Sequence, residues 1–250
     1  MDDDTDLEAL LGEVAAGELA PGEAADRLRD VGRVGNVGRV DTRRAERTGI
    51  PEVVEAERKA TDDLRGIAEE LLAGTGRAIL TGLDDGARAA LADLDAAADV
   101  EWFDRSRTLV CRAADYEPPA AGGTVGVVTA GTSDVPVAER AALLADEMGP
   151  SVETLYDVGV SGVRRLLAEL DTLRKCDAVV VAAGREGALA TVVAGLVAAP
   201  VIGLPVGTGT GPGGDGEAAL LGMLQSCTYL TVVNVDAGFV AGGQAALIAR

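Results

Sequence analysis

One cysteine near the C-terminus lies where two unlike sequence patterns meet. Cys227 follows an apolar helical stretch that begins at Ala218, and it precedes a β-rich run from Tyr229 to Val235. The residues after this run, Asp236-Ala237-Gly238-Phe239, are typical of the end of a strand. A thiol at such a joint is either a small filler of the core or a nucleophile.

The residue types that are missing limit the chemistry open to this chain. None of its 250 residues is histidine, which excludes Ser-His-Asp triads, Cys-His dyads and His-ligated metals. Cys111 and Cys176 stand at no metal-ligand or disulfide spacing, and we expect both to be small core residues. Any proton transfer must therefore use carboxylates, Tyr, Cys, Lys or water.

Small and polar residues follow two of the predicted strands in the C-terminal half. Ala130-Gly131-Thr132-Ser133-Asp134 leads into a helix, where free amide groups and the positive helix end would form an anion cradle. The same residues also suit an ordinary helix cap. Ala183 to Ala188 places Glu186 at a second helix start, either as a partner of the helix dipole or as an acid or base.

A third candidate loop runs from Pro205 to Gly216 and contains Gly209-Thr210-Gly211. So much glycine is typical of a backbone that approaches a ligand closely, and an inert surface loop can have the same composition. No G-x-G-x-x-G motif follows the first strand of this half. A nicotinamide oxidoreductase is therefore disfavoured.

Four arginines stand close together in the N-terminal half of this acidic chain. They are Arg39, Arg43, Arg44 and Arg47. Planar guanidinium groups suit phosphate and carboxylate, so the cluster favours an anion site. The alternative is a solvated loop that leads into a helix from Pro51.

Alternating apolar strands and amphipathic helices must position the candidate loops. We predict strands at 124–129, 151–155, 178–182, 200–204 and 230–235, and helices at 135–148, 161–173, 187–198, 215–226 and 238–249. This order predicts an α/β fold with a doubly wound, parallel five-stranded sheet. Ligands of such sheets bind outside the carboxyl ends of the strands.

The N-terminal half lacks this alternation and predicts a small domain that is helical at first and then α+β. We expect helices at 6–17, 22–30, 51–73 and 84–98, a strand at 78–80 and a strand pair within 100–112. Tyr116 to Gly123 is rich in proline, alanine and glycine and is the best linker candidate. The predicted domains are residues 1–118 and 119–250.

Charge and hydropathy limit the partners of the chain. The net charge of −19 opposes binding to nucleic acid, and Lys59 and Lys175 are its only lysines, which suggests a halophilic source with an acidic surface. No apolar run reaches the roughly 18 to 20 residues of a membrane span, and the acidic N-terminus is unlike a secretory signal. We expect a soluble, cytoplasmic protein that binds neither nucleic acid nor membranes.

Several stretches of the chain are long and ordered enough to suggest a family. They are Gly131 to Glu139, Tyr156 to Val160, Gly184 to Leu189 and Ala218 to Phe239, with Asp41 to Val53 and Lys59 in the N-terminal half. Together they resemble the LarB-type proteins of nickel-pincer cofactor biosynthesis. The C-terminal domain of that family is similar to the aminoimidazole ribonucleotide carboxylases and mutases of purine synthesis, so the resemblance implies a carboxylase-like, Rossmann-type catalytic domain for residues 119–250.

The resemblance also implies an activity. Members carboxylate the pyridinium ring of nicotinic acid adenine dinucleotide at C5 with carbon dioxide and hydrolyse its phosphoanhydride, giving AMP and pyridinium-3,5-biscarboxylic acid mononucleotide. Cys227 matches the family's nucleophile, whose thiolate adds at C4, makes C5 nucleophilic and leaves after C5 loses its proton. The resemblance leaves the base open, and Glu186, Asp134 and Asp236 are the candidates.

The other members of the predicted site bind substrate, and among them Arg44 and Arg47 would hold phosphates or the ring carboxylate. The full set is Asp41, Arg44, Arg47, Lys59, Gly131, Thr132, Ser133, Asp157, Gly184, Gly209 and Gly211. We expect no organic cofactor, and Mg²⁺ is the candidate metal, with no ligands assigned. The resemblance further implies a homo-oligomer like the octamers of the purine relatives.

The chain departs from the family pattern at three places. Gly162-Val163-Arg164-Arg165 stands where the family has Gly-Leu-His-Arg, Gly209-Thr210-Gly211 lacks an aromatic residue between the glycines, and Ala190 replaces a common proline. The missing histidine argues against one alternative, an aminoimidazole ribonucleotide carboxylase or mutase. The other alternative is a catalytically silent nucleotide-binding homologue, and the retained Cys227 argues against it.

The position of Cys227 raises a geometric problem. Cys227 precedes the fifth predicted strand, whereas the candidate loops, with Tyr156 to Gly162 after the second strand, follow the first four. A doubly wound sheet therefore places the thiol and the loops at opposite edges. We therefore predict that a neighbouring subunit or the N-terminal domain brings the ligand edge to the thiol.

Overall fold

The computed structural model of this chain describes residues 3–28, 31–34, 38–120 and 122–250. The chain divides into two units, one made of Met1–Trp102 and Leu109–Tyr116 and the other of Phe103–Thr108 and Glu117–Arg250. The sequence-based domain limits of 1–118 and 119–250 stay a prediction. In the predicted linker, residues 117–120 belong to neither a helix nor a strand, and residue 121 lies outside the described residues.

The first unit begins with two helices and a hairpin. Helices α1 (Asp3–Ala16) and α2 (Pro21–Leu28) bury Leu10 and Ala24 together with Leu19 of the turn between them. The last two residues of the helix predicted at 22–30 lie outside the described residues. Strands β1 (Val31–Val34) and β2 (Gly38–Asp41) then pair in antiparallel fashion, and the short helix α3 (Arg44–Thr48) follows. The solvated loop considered for this segment is wrong, because β2 buries Val40 in the core.

A four-stranded sheet completes this part of the chain. Its strands are β3 (Val53–Glu55), β4 (Arg77–Thr81), β5 (Asp99–Phe103) and β6 (Thr108–Arg112), in the order β3-β4-β6-β5. Helix α4 (Thr61–Thr75) packs its apolar face, with Leu64 and Leu71, into one core with Leu80, Leu109 and Cys111. The prediction that Cys111 is a core residue is confirmed, since its side chain is fully buried.

The helix predicted at 51–73 is wrong at its start. Residues 53–55 form β3, which runs parallel to β4 with Val53 opposite Ile79 and Glu55 opposite Thr81. The β-branched Val53 and Val54 favour a strand. Their pairing with β4, which is distant in sequence, makes this segment a strand. The helix itself begins only at Thr61.

The helix predicted at 84–98 is real but shorter, and it is α5 (Asp85–Leu91). Asp84 caps its start by accepting a hydrogen bond from the Ala87 amide at 2.8 Å. Near its end, the guanidinium of Arg65 donates to the carbonyl oxygens of Ala90 at 3.1 Å and Asp93 at 2.6 Å. The arginine of a neighbouring helix thus satisfies carbonyl groups that a longer helix would have paired internally.

The second unit contains the predicted α/β fold. Its sheet consists of β7 (Thr124–Thr129), β8 (Ser151–Leu155), β9 (Ala178–Ala183), β10 (Val201–Pro205) and β11 (Leu230–Val232), all parallel and in the order β11-β10-β9-β7-β8. The connecting helices are α6 (Val135–Glu147), α7 (Val163–Ala168), α8 (Leu170–Leu173), α9 (Ala188–Ala194) and α10 (Glu217–Leu224), and α11 (Gly238–Ala249) ends the chain. Strands β7 and β8 and helix α11 have the bounds predicted from the sequence.

Some of the predicted elements of this unit are shortened or interrupted. The helix predicted at 161–173 is a 3₁₀ turn over 160–162 followed by α7 and α8, with a break at Glu169. The strand predicted at 230–235 ends at Val232, because Asn234 accepts the Val235 amide through its side chain and the Ala237 amide through its carbonyl. Asp236 then takes a left-handed φ of 58°. A turn therefore replaces the last part of the predicted strand.

Valine, leucine and alanine fill most of the interior, since only 2% of the residues are aromatic. Strand β9 is buried along its whole length, as expected for a central strand covered on both faces. Among the helices that the structure describes, none is long and apolar enough to cross a membrane.

Candidate active site

The strand order creates a switch point beside β7. After β7 the chain crosses to β8 on one side, and after β9 it crosses to β10 on the other side, so the two following loops diverge. Such a divergence opens a crevice at the carboxyl ends of the strands, where ligands of doubly wound sheets bind. The loops at this crevice contain Gly131 to Asp134 after β7 and Gly184 to Gly187 after β9.

Asp134 is the carboxylate held most firmly at this edge. It is 3% exposed, its Oδ2 accepts the Gly131 amide at 2.9 Å, and its Oδ1 accepts the Thr208 hydroxyl at 2.9 Å. Burial raises the pKa of Asp134, and the two hydrogen bonds oppose that shift. Because the Gly131 amide is already bound by Asp134, it is not free to cradle an anion. The side chain therefore ties the loops after β7 and β10 together.

Asp236 makes a similar connection to the loop that follows β10. Its Oδ1 accepts the Gly207 amide and its own amide donates to the Pro205 carbonyl oxygen, both at 2.9 Å. The first residues of the loop 205–216 are thus bound on one side by Asp236 and on the other by Asp134 through Thr208. Thr208 was not predicted from the sequence, since its partner Asp134 is distant along the chain.

Two glycines allow these loops to pack closely. A Cβ atom on Gly184 would lie 2.2 Å from the Thr208 Oγ1, and one on Gly209 would lie 2.3 Å from the Gly184 carbonyl oxygen. Both distances are shorter than any van der Waals contact, so a side chain would displace the Thr208 hydroxyl at Gly184 and the Gly184 backbone at Gly209. Gly211 differs, because it has open space around it and a left-handed φ of 89°. The base of the loop is therefore packed, and its tip is free of such contacts.

Asp157 lies at the carboxyl end of β8 and brings an arginine to the same edge. Its φ is 59°, its amide donates to the Thr129 hydroxyl at 3.0 Å, and its carboxylate forms an ion pair with Arg165. Backbones held in this left-handed region are more common at functional sites than elsewhere. Arg165 was noted in the sequence only as part of a motif, and its partner became evident from the structure.

Three candidate side chains at this edge remain without a described partner. Glu186, Thr132 and Ser133 are exposed, and none of them makes a side-chain hydrogen bond or ion pair with the residues that the structure describes. Of the three candidate bases, Glu186 is the one with no described hydrogen bond to either carboxylate oxygen. Asp134 is buried with both oxygens bonded, and Asp236 is exposed with one oxygen bonded to the Gly207 amide.

Cys227 lies at the other edge of the sheet. It sits in the turn between α10 and β11, and Leu230 at the start of β11 pairs with Val201 at the start of β10. Since all five strands are parallel, the turn before β11 is at the amino edge, while Gly131 to Asp134 follow β7 at the carboxyl edge. Within a single C-terminal unit, Cys227 thus precedes its strand, whereas the candidate loops follow theirs.

The three thiols have different environments. Cys227 is exposed, whereas Cys111 and Cys176 are buried. Burial raises the pKa of Cys111 to about 12 and that of Cys176 to about 11. Both buried thiols stay protonated near neutral pH and are unsuited to nucleophilic attack, as predicted for core residues. Only Cys227 among the three cysteines is accessible to a substrate.

In the first unit, the predicted anion-binding residues form exposed ion pairs with carboxylates. Arg47 binds Asp41 through two contacts, the shorter of 2.6 Å, and Arg44 binds Glu52 at 3.0 Å. Lys59 donates to the carbonyl oxygen of Glu55 at the end of β3. The structure thus brings Asp41 and Arg47 together around α3, and an anion would have to displace a carboxylate to bind either arginine.

Among the described residues, no group of three or more Cys, Asp or Glu side chains is arranged to hold a metal ion. The residues present therefore do not form a protein cage for Mg²⁺. Cations of this kind are often bound through substrate phosphates with one or two carboxylates.

Comparison with known proteins divides the chain in a similar way. Residues 124–250 match the family model described as AIR carboxylase, and residues 31–113 match the model described as LarB/PurE-like N-terminal domain. An uncharacterized protein of Methanocaldococcus jannaschii is 38% identical over 220 residues, which cover 85% of this chain and 84% of that protein.

Proposed function

The chain belongs to the LarB-type family, in which a LarB/PurE-like N-terminal domain precedes an AIR carboxylase domain, and we propose that it makes pyridinium-3,5-biscarboxylic acid mononucleotide. The family consists of carboxylase-type enzymes that act on small molecules. In the proposed reaction, nicotinic acid adenine dinucleotide is carboxylated at C5 with carbon dioxide. Its phosphoanhydride is hydrolysed by water, and AMP is released.

The observation that carries this proposal is the exposed thiol of Cys227 on a turn, in contrast to the two buried thiols. A pyridinium ring is too electron-poor to attack carbon dioxide. When the thiolate forms a bond to C4, the electron pair passes into the ring and gives a dihydropyridine whose C5 is nucleophilic. C5 then bonds to carbon dioxide and loses its proton to a base. The electrons of that C–H bond restore the ring as the C4–S bond breaks and the thiolate leaves.

We assign the base for this proton to Glu186. Its carboxylate is exposed and has no hydrogen-bond or ion-pair partner among the described residues, whereas both oxygens of Asp134 accept hydrogen bonds and Asp236 accepts the Gly207 amide. A base must be able to reach the proton it removes. Asp134 and Asp236 then act by holding the loops of the crevice.

The positions of Cys227 before β11 and of Glu186 after β9 suggest a role for a second copy of the chain. The turn that carries Cys227 is flanked by three apolar side chains, Leu221, Leu224 and Tyr229, which are 53%, 59% and 102% exposed. Strand β11 beside them is an edge strand of the sheet. Exposed apolar patches and open strand edges are typical of protein interfaces. We propose that a homo-oligomer, with the octamer as the expected form, covers this patch and brings the carboxyl edge of one subunit to the thiol of another.

Substrate contacts in the first unit follow the family resemblance. Arg44 and Arg47 would exchange Glu52 and Asp41 for phosphate or carboxylate oxygens of the dinucleotide. These ion pairs are exposed, and such pairs are worth at most about 1 kcal/mol, so the exchange costs little. Any Mg²⁺ would enter with the substrate phosphates, because no described cluster of side chains fits it.

The proposal is tested by incubating the purified protein with nicotinic acid adenine dinucleotide and bicarbonate, with and without Mg²⁺. We expect AMP and the bis-carboxylated mononucleotide as products, detected by chromatography and mass spectrometry. Cys227→Ala should remove the carboxylation, and Cys176→Ala serves as the matched control in which a buried thiol is lost. Full carboxylation by Cys227→Ala would exclude the covalent mechanism. Binding of the dinucleotide by the wild-type protein without turnover would favour a silent homologue instead.

An assay of the same purified protein with aminoimidazole ribonucleotide distinguishes this function from that of the purine relatives. Aminoimidazole ribonucleotide should not be carboxylated, because the chain contains no histidine to transfer the proton in that reaction. Turnover of aminoimidazole ribonucleotide, but not of the dinucleotide, would overturn the proposal in favour of the purine reaction.

A further inference from the structure

Two hydroxyl residues flank Cys227 in the chain, and the structure connects them to a third on another helix. Ser226 and Thr228 stand on either side of the cysteine, and Thr191 lies on α9. The Thr191 hydroxyl donates to the Ser226 Oγ at 2.9 Å, and the Ser226 Oγ lies 2.7 Å from the Thr228 Oγ1. The Thr228 amide also donates to the Ser226 Oγ, at 3.2 Å.

Counting donors and acceptors gives this chain of hydroxyls a direction. A serine hydroxyl has one hydrogen and two lone pairs. The Ser226 Oγ accepts from the Thr191 hydroxyl and from the Thr228 amide, which occupy both lone pairs. Its own hydrogen is therefore the one shared with the Thr228 Oγ1. The order of donation is Thr191 to Ser226 to Thr228.

The same bonds fix the shape of the turn that carries the thiol. The bond from the Thr228 amide to the Ser226 side chain spans Cys227 and closes a serine turn around it. The Ser226 amide donates to the Met223 carbonyl oxygen at 3.1 Å, which joins this turn to the end of α10. Thr191, which is partly buried on α9, anchors the arrangement to a second helix. The cysteine is thus the exposed central residue of a turn held from both sides.

We propose that Thr191 and Ser226 are positioning residues for Cys227. They hold the turn in one conformation, so that the thiol meets the C4 atom of the pyridinium ring in the geometry that addition requires. Addition of a thiolate to a ring carbon depends on the direction from which the sulfur approaches. A thiolate held in a near-attack geometry therefore reacts faster than a mobile one. This role rests on the function proposed above for Cys227, although the anchoring of the turn does not depend on it.

The test compares the intact wild-type protein with Thr191→Val, which keeps the shape of the side chain and removes the hydroxyl. We expect kcat for carboxylation to fall about 10-fold with KM for the dinucleotide changed less than about twofold, because the sulfur is misplaced while the binding residues are intact. Thr191→Ser, which restores a hydroxyl, should recover most of the rate. Thr172→Val is the matched control, since the Thr172 hydroxyl makes no hydrogen bond with the described residues.

A second measurement tests the anchor without reference to any activity. Hydrogen exchange of the Thr228 amide should be at least about fivefold faster in Thr191→Val than in the wild type or in Thr172→Val. If the wild type carries out no carboxylation, the proposed function fails and the exchange result alone decides whether Thr191 holds the turn. Unchanged exchange, or a wild-type kcat in Thr191→Val, would overturn the positioning role.

Discussion

The two edges of the five-stranded sheet differ in what their residues do. At the carboxyl edge, carboxylates bind backbone amides, a hydroxyl and an arginine, as Asp134, Asp236 and Asp157 show. At the amino edge, exposed apolar side chains flank the turn that contains Cys227, and this turn is held by a chain of hydroxyl groups and by backbone amides. One edge is polar and internally bound, and the other is apolar and open.

If the proposed site is correct, this difference means that its two parts come from two subunits. In the proposal, the carboxyl edge supplies the crevice and the carboxylate of Glu186, while the amino edge supplies the nucleophile Cys227. An apolar surface beside a reactive group is what a second subunit would cover. The contrast between the edges therefore makes a prediction about assembly as well as chemistry.

The largest effect is expected when inactive subunits are mixed. Cys227→Ala and Glu186→Gln should each remove carboxylation, since they delete the nucleophile and the proposed base. If each site takes one residue from each of two subunits, oligomers reassembled from equal amounts of both variants should recover about a quarter of the wild-type activity. The measurement is AMP release after dissociation and reassembly.

A matched mixture controls this experiment. A mixture of Cys227→Ala and Cys227→Ser should recover no carboxylation activity. Both variants lack the thiol, so no pair of subunits has a complete site. Mass spectrometry confirms that subunits have exchanged. Exchanged oligomers of Cys227→Ala and Glu186→Gln that stay inactive would show that the two groups do not act across subunits.

The Cys227 thiol should react with iodoacetamide more than about 100-fold faster than the thiols of Cys111 and Cys176. Burial raises the pKa of Cys111 to about 12 and that of Cys176 to about 11, so their thiolates are scarce at pH 7 and shielded as well. Iodoacetamide should therefore label the native protein once per chain. Peptide mapping checks the position, and labelling of Cys176 at a rate similar to Cys227 would contradict the description of the two sites.

The packing of the carboxyl edge should be sensitive to single methyl groups. In Gly209→Ala the new Cβ meets the Gly184 carbonyl oxygen at 2.3 Å, and we expect a loss of about 1 to 3 kcal/mol in the free energy of unfolding. Gly195→Ala is the control, since its nearest contact would be an ordinary 3.5 Å. Urea unfolding of both variants measures the difference. Equal stability for the two would mean that the loops of this edge are not held as described.

The smallest effect is a change in the pH dependence of stability. Burial raises the pKa of Asp134, so the folded protein binds its proton at a pH where the unfolded chain has lost it. The contribution of Asp134 to the free energy of unfolding therefore falls as the pH rises from the ordinary pKa of 3.8 to the raised pKa. The fall is at most about 1.4 kcal/mol per pH unit, and the contribution is constant at higher pH. Asp134→Asn should lose this part of the pH dependence.

Thr208→Val sharpens this last experiment. The Thr208 hydroxyl lowers the pKa of Asp134, so its removal should extend the fall in stability to higher pH. Urea unfolding between pH 4 and 7 gives both curves. A difference between the wild type and Asp134→Asn that stays constant with pH would contradict the raised pKa.

Patterns that are local in sequence predicted most of the second unit. The strands at 124–129 and 151–155 and the helix at 238–249 have their predicted bounds, because the alternation of strand and helix patterns that located them is local in sequence. In the first unit, Val53 and Val54 were assigned to a helix because the strand partner that makes them β lies far along the chain. Local periodicity carries no information about such a partner.

The candidate site shows the same division between local and distant information. Glycines and carboxylates after the strands located the carboxyl edge, and the position of Cys227 before the fifth strand already placed it at the other edge. The sequence did not reveal that Asp134 binds Thr208, that Asp236 binds the Gly207 amide, or that Thr191 anchors the turn of Cys227. These pairs join loops and helices that only the fold brings together.

The glycine-rich loop has a consequence for how the chain can vary. Its first residues are fastened by Asp134 and Asp236, and Gly209 packs against the Gly184 carbonyl, whereas Gly211 has open space around it. Insertions at such an unpacked tip are tolerated far better than changes at its base. Residues near Gly211 are therefore a place where extra length could reshape substrate preference, in evolution or in the laboratory, while the sheet below keeps its geometry.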